Sequence, residues 1–308
     1  MNLYVAVTDT GWFEYLAALQ PDEVNFWRPK ETRAFRALSA YEPFLFKLRK
    51  PSDCIVGGGF FVSYSALPLS VVWDAFEVKN GASSVSDLAE KIDRYRGSSS
   101  FEPDPLIGCI VLTSPFFFSE PDWIPTPQSW SPNLIQGKTY STGEPDGAAL
   151  WAAVQERLAR DTVPLVGYPP ADQLPRYGAE MLMHPRLGQG GFRVLVTEAY
   201  HRKCAMTGER TLPVLQAAHI KPYSQDGPHD VRNGLLLRSD LHTLLDRGFL
   251  TITPDYRVEV SQRIRKQYEN GRDYYKMHGK HLVVLPDRAI DRPSPDFIEW
   301  HNHKIYAA

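Results

Sequence analysis

One short stretch constrains this chain more than any other. Gln216-Ala217-Ala218-His219-Ile220-Lys221-Pro222 is strand-like around a single histidine, and Asn233-Gly234-Leu235-Leu236-Leu237-Arg238-Ser239-Asp240-Leu241-His242 runs from apolar chain into a helical pattern. The order puts a His on a strand, an Asn 14 residues later behind the polar loop 224–232, and a His 9 residues further on. That second His lies on a short helix that Ser239 is expected to cap and Gly248 to end. A strand, a loop and a helix so arranged can bring three polar side chains to one place.

Such a trio suits phosphodiester hydrolysis. A neutral imidazole can take a proton from water near neutral pH, and a divalent cation can stabilise charge on the phosphate and the leaving oxygen. Lys221, Arg232 and Arg238 lie close by in sequence and are candidates to neutralise flanking phosphates. Charge is distributed to match. Residues 1–175 hold 14 Lys and Arg against 21 Asp and Glu, residues 176–308 hold 20 against 15, and all nine histidines lie beyond residue 183. The basic, His-rich part is the one expected to meet a polyanion.

Other classes are disfavoured. Cys54, Cys109 and Cys204 are too scattered for a disulfide framework or a Cys-x-x-Cys zinc site, so a reducing, cytoplasmic setting is expected. No apolar run has bilayer-spanning length, and Met1-Asn2-Leu3-Tyr4 does not open a signal peptide, so no membrane partner is expected.

The chain's 308 residues suffice for two domains. Four prolines and a glycine between Val163 and Pro175 mark a break. The expected division is a domain over 1–162, a linker over 163–183 and a domain over 184–308, of α+β class. In the first, Phe44–Leu48 and Ile107–Thr113 read as strands. Ser70–Phe76 and Ser86–Arg94 read as helices, the latter capped by Ser86, and Gly57-Gly58-Gly59 reads as a bulge or a close approach of backbone. Residues 119–147 read as a long irregular loop. In the second, Phe192–Cys204 is helical and Phe249–Thr253 with Tyr256–Val260 forms a hairpin around Pro254-Asp255.

The stretch A-A-H-I-x-P followed by N-G-L-L-L-x-x-D-x-H-x-L-x-D-x-G resembles the HNH endonucleases with their ββα-metal fold, and within them a restriction-type branch. Arg186-Leu187-Gly188-Gln189, Phe192-Arg193 and Cys204-Ala205-Met206-Thr207-Gly208 resemble that branch's lead-in, so the likeness spans about 184–303. It implies that His219 is the general base, that Asn233 orients the base or its loop, and that His242 ligates a metal. Ala218 stands where many relatives carry an Asp or His ligand, which leaves Gln216, Asp240 and Asp246 as candidates for the second. The ion expected is Mg²⁺ or Mn²⁺, with Zn²⁺ as the alternative. Arg186, Gln189 and Arg193 are candidates for DNA-backbone contacts; Arg193 paired with an acid such as Glu198 is the structural alternative. His219 as a hydrogen-bonded core histidine, Asn233 as a turn residue and Asp246 as a helix end are the corresponding structural readings.

In the N-terminal half, Phe44–Leu48, Gly57–Val62, Trp73-Asp74-Ala75-Phe76 and Asn80-Gly81 resemble the region that accompanies this branch, a PUA-like β-barrel of the superfamily that holds the EVE and SRA readers of modified bases. A reader must extrude a base and hold it between aromatic faces and polar groups. Trp27, Trp123 and Trp130 are candidate faces, and Asp22 and Asn25 candidate edge-readers. The expected whole is a modification-dependent restriction endonuclease acting on double-stranded DNA as a homodimer. Its rivals are an HNH nuclease of toxin or homing type and a non-catalytic DNA-binding HNH module.

Overall fold

The computed structural model describes residues 1–30, 34–97, 102–160 and 187–307, so the linker expected at 163–183 and Arg186 lie outside the described residues. The chain divides into two compact units, Met1–Pro185 and Arg186–Ala308. Both mix helix and sheet, as the α+β class requires.

The first unit runs β1 (Asn2–Thr8), α1 (Thr10–Leu19), β2 (Glu23–Arg28), β3 (Pro43–Leu48), β4 (Cys54–Pro68), α2 (Leu69–Phe76), α3 (Val85–Arg96), β5 (Leu106–Phe117), β6 (Ile124–Pro125), β7 (Gly137–Ser141) and α4 (Pro145–Arg160). Its strands form one sheet in the order β2-β5-β4-β3-β1-β7, with β6 beside β4. β1 and β3 are parallel, and the other pairs are antiparallel. Both faces are covered. Phe44, Phe46 and Leu48 join Trp12, Phe13 and Leu16 of α1 on one side, while Leu45 joins Leu150 and Val154 of α4 on the other. A strand buried on two faces reads as a continuous apolar run rather than an alternation, which is what Phe44–Leu48 shows. Lys47 is the exception: only 3% exposed, its ammonium pairs with Asp53 and lies 5.1 Å from the centre of the Trp130 ring.

The glycine run lies where β4 is squeezed between β3 and β5. A Cβ on Gly57 would stand 2.3 Å from the Phe116 carbonyl oxygen, and one on Gly58 2.7 Å from that of Phe44. The strand register also shifts between Gly58 and Phe60. Close approach and bulge therefore occur together.

Four expectations need correction, the first being that the helix expected to run to Cys204 ends at Ala199. The helix expected from Ser86 starts earlier, because Ser84 is its cap and accepts a hydrogen bond from Asp87 N at 3.1 Å. Residues 119–147 are not all irregular, since β6 and β7 lie among them and β7 pairs along β1. Ser239 does not cap its helix; Arg238 holds the N-cap position and Ser239 is the first helical residue. As for the expected barrel, β2 and β7 end the path, and no strand pairing joins them among the described residues. A side-chain bond bridges the gap instead, Arg28 Nη2 donating to Gln136 Oε1 at 3.2 Å.

The second unit begins with α5 (Gln189–Ala199). There follow β8 (Leu215–His219), β9 (Gly234–Arg238), α6 (Ser239–Asp246), β10 (Leu250–Ile252), β11 (Val258–Val260), α7 (Arg263–Tyr268), α8 (Arg272–Tyr275) and α9 (Pro295–Lys304). β8 and β9 pair antiparallel with His219 opposite Gly234, and α6 follows directly, giving a ββα unit. Phe192 and Val196 of α5, Ala218 of β8, Leu235 to Leu237 of β9, and Leu241 and Leu245 of α6 share one core. A Cβ on Gly234 would stand 2.5 Å from Val196 Cγ2, so α5 rests directly on the start of β9. β10 and β11 form the expected hairpin.

The glycine squeeze yields a stability prediction. Gly57→Ala is expected to destabilise the N-terminal unit by roughly 1–3 kcal/mol through overpacking against backbone. Gly143→Ala, whose added carbon meets only Ser141 Oγ at 3.5 Å, should leave it unchanged. Thermal melts of the two variants make the comparison, and equal midpoints would refute it.

Candidate active site

His219 ends β8, and Asn233 immediately precedes β9. The Asn233 side chain is fully buried and fully used. Its Oδ1 accepts from Lys221 N at 2.8 Å, and its Nδ2 donates to Lys221 O at 2.9 Å and Pro228 O at 3.0 Å. Its backbone oxygen also accepts from Ile220 N at 2.9 Å. The amide thus clips both ends of the loop that leaves His219.

The His219 ring lies flat against Phe192 of α5, with centroids 4.0 Å apart and planes 14° apart. Its Nε2 is 3.0 Å from Nδ1 of His229, and Tyr223 stacks on His229 at 4.5 Å. His242 projects from α6. Its Nδ1 is 2.8 Å from Gln216 Oε1 and its Nε2 is 3.4 Å from Asp246 Oδ2, one helical turn on. Burial lowers the His219 pKa to about 4, and Arg193, together with His229 and His242 when they are protonated, adds to the effect. Burial also lowers that of His242; Asp246 opposes the shift and Arg193 adds to it. Arg193 of α5 therefore acts electrostatically on both histidines, which draws the two rings and a guanidinium into one neighbourhood. His219 is neutral at physiological pH, the form a general base needs.

The other candidates divide. Gln216 and Asp246 both touch His242, whereas Asp240 pairs with Arg238 at 2.6 Å and accepts from the Tyr274 hydroxyl at 3.3 Å. Arg232 pairs with Asp230 at 2.7 Å, so Arg232 and Arg238 each carry an internal acid partner. Gln189 is exposed at the start of α5, and the Lys221 ammonium lies 5.5 Å from the Trp300 ring centre. Ala218 is wholly buried in the core and offers no donor. One residue that the sequence pattern did not place here is His229, whose only signal was its position in the polar loop; Asp246 was a candidate ligand, with a helix end as the simpler account.

The fit of a divalent ion can be judged from the donors. Among the described residues no group of three or more His, Cys, Asp or Glu side chains forms a metal cage. His242 Nε2 and Asp246 Oδ2 form a two-donor N/O pair whose 3.4 Å separation suits a shared ion, with Gln216 fixing the ring from its other nitrogen. Two protein donors completed by water and phosphate oxygens is how Mg²⁺ is commonly held.

A second site lies in the N-terminal unit. A cavity of about 320 Å³ is floored by Tyr4, Trp12, Phe26 and Phe44 and rimmed by Trp27, Tyr95, Asp9, Arg28, Arg49 and Gln136. Asp9 Oδ2 accepts from the Tyr95 hydroxyl at 3.2 Å, and the Arg49 guanidinium lies 5.5 Å from the Tyr95 ring centre. Of the five residues expected to form a base pocket, Trp27 alone lines this cavity. Its indole N–H donates to Asn80 O at 2.9 Å, and Asn25, fully buried, donates to Asn80 Oδ1 at 2.8 Å. Asp22 is at the surface, paired with Lys79 at 2.5 Å. Trp123 packs into the core with its N–H on Phe118 O at 3.1 Å, and Trp130 lines a separate hollow with Lys47 and Lys50.

Residues 204–253 match the family model described as HNH endonuclease. They hold Gln216, His219, His229, Asn233, His242 and Asp246, so the C-terminal unit carries an HNH nuclease module. No curated protein matches the chain. Among solved structures, a ZmASCH mutant protein from Zymomonas mobilis aligns at 9% identity over 51% of this chain and 96% of its own, with a TM-score of 0.33. The modification-dependent TagI restriction endonuclease aligns at 14% identity over 92% of this chain and 75% of its own, with a TM-score of 0.27. At such scores neither superposition bears on fold or function. No helix among the described residues is long and apolar enough to cross a membrane.

The depressed His219 pKa links stability to pH. Between the ordinary value of 6.5 and about 4 the unfolded ring binds a proton that the folded ring refuses, so stability is full above that window and is lost as pH falls through it. In chelator, the C-terminal unit should lose thermal stability from neutral pH toward about 4 more steeply in the wild type than in His219→Gln. Parallel slopes would contradict this assignment.

Proposed function

Taking the HNH module as premise, we propose that the protein is a modification-dependent DNA restriction endonuclease in which His219 is the general base. The observation that carries the reading is geometric: His219 ends β8 stacked on Phe192, and His242 of the helix that follows the hairpin is bonded to Gln216 of the same strand. His219 takes the proton of the attacking water. Arg193 offsets charge on the scissile phosphate. His242 and Asp246 would hold a Mg²⁺ or Mn²⁺ ion, with Gln216 fixing the His242 ring. Such an ion, when bound, would supply electrostatic stabilisation of the phosphate and the leaving oxygen. Asn233 keeps the loop, and so the base, in place.

The N-terminal cavity supports the modification reading. Its 320 Å³ lies at the small end of ligand pockets, roughly 300–1,000 Å³. Flat aromatic walls take a base extruded from the stack, Asp9 and Gln136 offer acceptor and donor groups for its edge, and Arg28 and Arg49 offer charge to its phosphates. A cationic rim on an otherwise acidic half is what gripping one nucleotide, rather than a length of duplex, calls for. Double-strand cleavage with one module per chain calls for two chains on the duplex.

Two outcomes are expected. Cleavage of plasmid DNA carrying methylated or hydroxymethylated cytosine should need Mg²⁺ or Mn²⁺, stop in chelator, and fall by about 10²–10⁴-fold in His219→Ala; undiminished cutting by that variant would leave a non-catalytic HNH module. Tyr95→Ala should cut the preference for modified over unmodified DNA by about tenfold, in line with the worth of one base–aromatic stack, while equal cutting of both DNAs by the wild type would remove the reader role.

A further inference from the structure

We propose that His229 is a positioning residue that fixes the tautomer of His219, an inference that rests on the nuclease reading above. The two rings meet edge to edge, Nε2 of His219 against Nδ1 of His229 at 3.0 Å. Between two neutral imidazoles a contact that short holds one proton, so one ring donates and the other accepts. If His229 donates, His219 keeps its own proton on Nδ1 and has no lone pair left for water. If His219 donates from Nε2, its Nδ1 is bare and faces away from His229. Only the second arrangement makes a base.

The surroundings hold the pair in register. Phe192 lies flat on His219 at 4.0 Å and Tyr223 lies flat on His229 at 4.5 Å with planes 7° apart, so neither ring turns out of the contact freely. The loop that brings His229 back to the strand is clipped by Asn233 at Lys221 and at Pro228, the residue next to His229. Asp230, on its other side, is 7% exposed and anchored to Arg232 by a bond of 2.7 Å. His229 is thus fixed from both flanks.

The proton balance is simple. Water loses one proton to Nδ1 of His219, its oxygen forms the new bond to phosphorus, and the bond from phosphorus to the leaving sugar oxygen breaks as that oxygen takes up a proton from a solvent water. The Nε2 proton of His219 stays in its hydrogen bond to His229, which carries its own proton on Nε2. A carboxylate in that place would orient the ring equally well but would raise its proton affinity. A neutral imidazole orients the ring without that rise.

The test uses the full chain. Histidine ¹⁵N spectra of the metal-free wild type should show His219 protonated on Nε2 and bare on Nδ1. His229→Leu should lose that single tautomer and lower kcat for DNA cleavage with Mg²⁺ by about 10- to 100-fold at nearly constant KM, the usual cost of removing an orienting partner. His229→Asn, whose amide oxygen falls close to the position of Nδ1, should restore both the tautomer and most of the rate. A wild-type spectrum with His219 protonated on Nδ1, or a Leu variant with unchanged kcat, would overturn the proposal. Should the Leu variant fail to fold, the wild-type spectrum and the Asn variant still decide. Loss of the nuclease reading would look different: His219→Ala would cut as fast as wild type, whatever the tautomer.

Discussion

The amide of Asn233 is the contact on which the geometry around His219 depends. A buried amide must satisfy one acceptor and two donor positions or destabilise the fold, and here all three go to the loop that separates two histidines. The loop is polar and thirteen residues lie between His219 and Asn233, so without the clip its ordering entropy would oppose any fixed geometry. With it, the strand end, the loop and the next strand behave as one body. α5 then presses Phe192 and Val196 on that body from one side, and α6 supplies His242 from the core it shares with Ala218.

The two units handle charge in opposite ways. In the C-terminal unit the basic residues nearest the site are largely paired, as in Arg232–Asp230 and Arg238–Asp240, and Arg193 is the cation whose field reaches both histidines. In the N-terminal unit the acids dominate in number, yet arginines gather at the mouth of one aromatic cavity. Net charge per domain is a coarse guide for that reason: a local field is set by a few side chains that distant parts of the chain bring together.

Much of the site was legible in the sequence, and the rest was hidden for physical reasons. His219, Asn233 and His242 sit in a string whose spacing implies strand, loop and helix, and each lies where that order puts it. His229 was silent because a histidine in a polar loop carries no periodicity, and its meaning comes from a contact that only the folded loop creates. Asp246 was ambiguous because a carboxylate four residues after a histidine on a helix reads equally as a helix end or a partner. In the N-terminal unit, local pattern gave the strands, the helices and the glycine squeeze. It could not give the cavity, whose walls come from β1, β2, β3, α3 and the chain before β7, far apart in sequence. Trp123 illustrates the limit: proline-rich surroundings suggested an exposed face, and tertiary packing leaves it half-buried against the core.

The flat contact between Phe192 and His219 has a consequence for turnover. An imidazole pressed face-on against a benzene ring can slide, but it cannot swing its edge through that ring without prising α5 from the sheet. In the role of base proposed for it, a ring held in this way has no alternative pose in which to discharge. In that role, a proton taken up on the nitrogen that faces the DNA would leave by the same nitrogen once the cut strand had moved aside, tying the resetting of the site to the departure of product.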